Sequence, residues 1–160
     1  MPEVLVALLI SSMGFLGTWM AAGRSLQIVH AHRETIAATN ILLGRVENTR
    51  SAGWNTVVDA QSIATNILGS PDINSQWLPG VEEQITVSTY PPVSPAPTPI
   101  VVQRHSDGTV QIVSQPSAGL YLRSLLAVRA DFSVTWKSGP NQRIRNRQNS
   151  TVIAVQGLLK

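Results

Sequence analysis

At 160 residues the chain has room for one globular domain and little more. Charged residues make up 13% and hydrophobic ones 43%, which excludes a disordered polyelectrolyte and a coiled coil. The absence of cysteine removes disulfides, thiolate metal sites and cysteine nucleophiles, and a net charge of +3 is too small to argue for nucleic acid by itself.

From Val4 to Gly23 no residue carries a charge; Glu3 and Arg24 close the run. In a helix these residues span about 30 Å, the thickness of a bilayer's hydrocarbon. The segment therefore reads as membrane-spanning. It lacks the basic n-region and the cleavage site of a signal peptide. The helical pattern continues through Arg24, with Leu26, Val29, Ile36 and Leu43 as an apolar stripe and Arg33, Glu34, Arg45 and Glu47 at other positions. Pro2 suits a first helical turn, no proline follows until Pro71, and Gly53 is the first good stop signal. One helix over about residues 3–52 is the expectation, its first half (1–24) apolar and its second half (25–53) amphipathic.

Two features of that helix carry a cost. Gly14, Gly17 and Gly23 each weaken a helix interior by about 1 kcal/mol relative to alanine. They mark either close helix packing or a stretch that loosens. Glu3 is an expensive group at the head of an apolar run unless it finds a cation or lies at the positive end of the helix dipole.

Met1-Pro2-Glu3-Val4-Leu5-Val6-Ala7-Leu8-Leu9-Ile10 resembles the N-terminus of type IV pilins and pseudopilins. The likeness is strong over residues 2–23 and fair to about residue 54. It implies a filament subunit that waits in the inner membrane and then moves into the interior of a helical homo-oligomer on the cell surface. Val4, Leu5, Val6, Leu8, Leu9, Ile10, Phe15 and Leu16 would fill that interior. Glu3 would neutralise a neighbouring subunit's N-terminal amine. Gly14 and Gly17 would let backbone within residues 12–22 become extended on assembly. Glu3 stands third, where the family glutamate is usually fifth after the cleavage point. Either two mature residues and a leader precede the chain, or the terminus is unusual. A minor pilin or a type II secretion pseudopilin, working with other pilins, is the alternative role.

Residues 54–160 read as a β-rich head. Trp54–Leu68 has the pattern of a second short helix, ended by Gly69-Ser70-Pro71-Asp72. Residues 85–90 have strand character, and 91–99 hold five prolines, which no sheet interior accepts. Residues 100–102 and 109–113 flank Ser106-Asp107-Gly108, a hairpin signal. Strict alternation from Leu126 to Lys137 predicts a half-buried strand, followed by a turn at Ser138-Gly139-Pro140-Asn141. Residues 142–148 and 151–158 supply two further candidate strands. The fold class is thus α+β, a long N-terminal helix with an antiparallel sheet packed on its second half.

No catalytic constellation emerges, and neither enzymatic activity nor a cofactor is expected. His30 and Glu34 share a helix face while His32 points elsewhere, so the run cannot close a metal site on one helix. Glu82-Glu83 reads as a solvated pair. Arg143, Arg145 and Arg147 would line one face of a strand, with Lys137 near across the turn. A solvated or subunit-contacting face is the simpler reading, and a DNA-binding stripe is its rival.

Overall fold

The computed structural model describes residues 2–116, 120–139 and 141–155. Helix α1 runs unbroken from Pro2 to Ser51, 50 residues, about 75 Å at 1.5 Å per residue. Its residues 2–30 are all exposed. From Ala31 onward one side turns to the head, and Ala37, Ala38, Ile41, Leu42, Arg45, Val46 and Thr49 are buried, steps that follow the 3.6-residue period.

This is not the expected stripe. Leu26, Val29, Ile36 and Leu43 lie on the opposite side of α1 and stay 45–62% exposed. The helix has two apolar faces, and the head takes the one bearing Ala37 and Ala38. Both are buried, and their small side chains let the head come close to the helix.

The head is one antiparallel sheet of β1 (Glu82–Thr89), β2 (Ile100–Arg104), β3 (Val110–Ser114), β4 (Ala127–Ser138) and β5 (Arg143–Ala154), in the order β3-β2-β1-β4-β5. The molecule is therefore α+β. Alternation in β4 puts Val128, Ala130, Phe132, Val134 and Trp136 on the inner face, beside Ile85 and Val87 of β1 and Ile100 and Val102 of β2. These meet α1 and the apolar side chains of Val57, Ile63, Ile67 and Leu68. Each large side chain so buried contributes about 1.5–3 kcal/mol. The other face carries Gln84, Thr86, Arg129 and Ser133 and remains wet, as an antiparallel sheet permits. The expected hairpin joins β2 to β3: His105 N–H donates to Thr109 C=O at 2.8 Å, and Gly108 takes a φ of +89°.

Three expectations need correction. Residues 54–68 do not form one helix. Trp54–Val57 is a single turn (α2), Asp59 is extended, and Ala60–Ser62 (α3) continues as a π turn over Ile63–Ile67. The Asp59 carboxylate accepts from the Ser62 N–H at 2.8 Å and restarts the helix as its N-cap. Gly69 ends the segment because a Cβ there would lie 2.2 Å from the Thr65 carbonyl oxygen. Residues 142–148 and 151–158 are not two strands, since β5 runs through Gln148-Asn149-Ser150 without a break. Residues 156–158 and Pro140 lie outside the described residues. Glu83 is not solvated but buried.

Candidate assembly helix and basic edge strand

The first half of α1 is long and apolar enough to cross a membrane. Val4, Leu5, Val6, Leu8, Leu9, Ile10, Phe15 and Leu16 are all more than half exposed, so nothing in the head covers them. Its hydroxyls are satisfied within the helix. Ser11 Oγ donates to Ala7 C=O, Ser12 Oγ to Leu9 C=O and Thr18 Oγ1 to Phe15 C=O, each at 2.8 Å. A segment whose polar groups bond internally can face lipid without leaving unpaired donors. Glu3 sits exposed in the first turn, where the dipole favours a carboxylate, and it makes no ion pair among the described residues.

Gly14, Gly17 and Gly23 have no described atom within 4 Å of where a Cβ would be, so the folded chain gives no packing reason for them. The backbone there is helical in the single chain. Small residues Ala7, Ser11, Gly14, Thr18, Ala21 and Ser25 recur at steps of four and three, which places them on one line of the helix. On another line lie Leu8, Phe15, Val29, Ile36 and Leu43, spaced by multiples of seven. This second line runs out of the membrane-length segment and along the exposed side of α1 at the level of the head. Trp77, 60% exposed, stands beside Ile36 there.

The half of α1 that carries the head is fastened by a buried ion pair that the sequence did not reveal. Arg45 Nε donates to Glu83 Oε2 at 2.6 Å and Nη2 to Glu83 Oε1 at 3.1 Å. Its remaining donors reach the carbonyl oxygens of Ile67 and, at 2.8 Å, Ser70. One guanidinium thus joins α1, β1 and the end of the π turn. Gly44, one residue earlier, leaves room for Asp72, whose Oδ2 would lie 3.2 Å from a Cβ at that position. A second tie is Trp136 Nε1 donating to Glu34 Oε2 at 3.2 Å. A third is Arg50, whose Nη2 donates to Thr151 Oγ1 at 3.0 Å.

Arg143, Arg145 and Arg147 do share one face of β5. They stand opposite Ser138, Trp136 and Val134, the buried positions of β4, so they lie on the helix side of the sheet. β5 is an edge strand, and all three remain exposed and make no ion pair among the described residues. Lys137 is not beside them. It stands opposite Ile144 on the other face, with its aliphatic stem over Gly80. Arg143 and Arg145 border an open cleft whose other wall is Gln27, His30, Ala31 and Glu34 of α1. His32 is exposed outside that cleft, and no cluster of metal-ligating side chains occurs among the described residues.

Comparisons with protein-family models, with curated proteins and with solved structures return no match.

Proposed function

We propose that this chain is a structural subunit of a type IV pilus-like extracellular filament. The apolar half of α1 rests in the inner membrane until assembly and then enters the filament interior, where neighbouring helices replace lipid. The head covers the outside. The observation that carries this reading is the apolar line that outlasts the membrane segment. From Arg24 to Leu43 it continues for about 28 Å at 1.5 Å per residue, with Ile36 and Leu43 47% and 55% exposed. Lipid cannot cover those side chains at that height, whereas the helix of another subunit can. A plain anchor needs no such extension. The resemblance of residues 2–23 to pilin N-termini supports the same conclusion.

Negative-stain imaging of the full chain during assembly tests it. Fibres with a regular subunit repeat are expected, and replacing Ile36 and Leu43 with glutamate abolishes them while the chain still inserts into membranes. Particles that stay monomeric in membranes under every assembly condition sink the filament reading and leave an anchored domain.

A further inference from the structure

The basic edge of the sheet has a fixed height above the membrane, because α1 carries it without a hinge. The ties along α1 set that height. Trp136, opposite Arg145, bonds to Glu34, and Thr151, further along β5, bonds to Arg50. β5 therefore climbs beside α1, and its first residues are the end of the head nearest the apolar segment. The cleft holding Arg143 and Arg145 reaches down to Gln27. Gln27 is only three residues past Arg24, about 4.5 Å along the helix. A bilayer's headgroup layer extends about 5–8 Å beyond its hydrocarbon. The lower end of the cleft consequently lies within that layer, and Arg145 lies within about one Debye length, some 8–10 Å, of its outer boundary.

We propose that Arg143 and Arg145, backed by Arg147 further up the strand and joined by Arg24 of α1, form a basic foot that seats the head on anionic phospholipid headgroups in the membrane-resident state. Two observations and the chemistry of the guanidinium group support it. The arginines of β5 alternate at about 6.7 Å, two residues of strand, and form no ion pair among the described residues. The one carboxylate lining the cleft among the described residues, Glu34, is turned to the Trp136 indole and is outnumbered there by Arg143 and Arg145. Guanidinium also matches phosphate oxygens with paired donors, where an ammonium offers a point charge. The same charges would attract DNA, but in the membrane-resident state the lower end of the cleft, at Gln27, stands at headgroup height. The inference rests on the membrane anchoring in the proposed function and not on polymerisation.

The absence of cysteine allows a clean probe. The full chain with Asn141→Cys carries a fluorophore at the foot, and Val93→Cys carries it in the proline-rich loop as a reference. Each is reconstituted into phosphatidylcholine vesicles with or without phosphatidylglycerol, containing a headgroup nitroxide quencher. Quenching at position 141 is expected to rise several-fold with phosphatidylglycerol and to fall back in high salt. The same loss is expected in R143A/R145A/R147A, while position 93 does not respond. Equal quenching in both lipids, or an unchanged triple variant, overturns the foot even when the chain floats with the vesicles. A triple variant that loses salt-sensitive DNA retardation but keeps its lipid-dependent quenching also overturns it. Failure to float with either vesicle removes the anchoring itself, and with it both this inference and the proposed function.

Discussion

At the scale of single residues, Arg45 and Glu83 decide how firmly the head is held. Both side chains are more than nine-tenths buried, and removing one partner leaves the other charged in a place that water cannot reach. Arg45→Ala or Glu83→Ala is expected to cost about 3–5 kcal/mol of head stability. The double replacement Arg45→Met with Glu83→Leu should recover part of that loss but not all, because the Ile67 and Ser70 carbonyls still lose their donor. Urea unfolding of the detergent-solubilised chain, followed through the near-ultraviolet signal of buried Trp136, measures all three. A double variant at least as unstable as the worse of the two single variants would show that the uncompensated charge is not what makes them costly. Asp59 acts more locally. Hydrogen bonds from the Ser62 hydroxyl and then the Ser62 backbone N–H hold its carboxyl below the usual aspartate range, and Arg123 adds to the effect. A depressed carboxyl contributes stability that is present above its unfolded pKa of about 3.9 and is lost as the pH falls through the lower folded value. Asp59→Ala should cost about 1 kcal/mol at neutral pH and flatten that part of the acid limb. An acid limb identical to that of the parent chain would remove the cap from the account.

At the scale of elements, legibility followed burial. β4 could be read from its alternation because one of its faces is dry and the other wet. The single strand β5 could not, because an edge strand exposed on both faces over residues 143–150 tolerates Gln148-Asn149-Ser150, which in sequence looks like a break. The arginine alternation was visible, but its face was not: the pairing with β4 sets it, and Trp136 opposite Arg145 is a long-range fact. Arg45 was hidden for the opposite reason. A charge within an amphipathic helix reads as solvent-facing unless its distant carboxylate is known. The glycines of α1 are an element-scale property as well. In lipid the backbone over residues 12–22 must stay helical. Inside a filament, surrounding protein relaxes that requirement, and Gly14 and Gly17 make the stretch the weakest of the apolar half. A filament map is expected to show extended backbone within 12–22, and Gly14→Ala with Gly17→Ala should lower fibre yield without altering membrane insertion. Unbroken i→i−4 bonds from Val4 to Arg24 in such a map would return the glycines to a packing role.

At the scale of the whole molecule, what matters is that the apolar segment and the support of the sheet belong to one unbroken helix. No loop, proline or glycine pair interrupts α1 between Arg24 and Ala31, the first residue that meets the head. Head and apolar segment are thus geared together like two wheels on one shaft. A single residue inserted between Gln27 and His30 would turn the head by about 100° and lift it about 1.5 Å. Seven inserted residues would bring it back to within about 20° of its original azimuth but raise it by about 10 Å. The two insertions therefore separate direction from height. If the chain polymerises as proposed, one added alanine should make fibres fail or change their helical symmetry, because the line through Val29 and Ile36 would no longer meet a neighbouring subunit in phase. With seven, the phase survives and the altitude does not, so fibres should persist with a head displaced along the axis, visible as a shift in radial and axial density. The chain carries its own protractor and ruler in one unbroken run of hydrogen bonds.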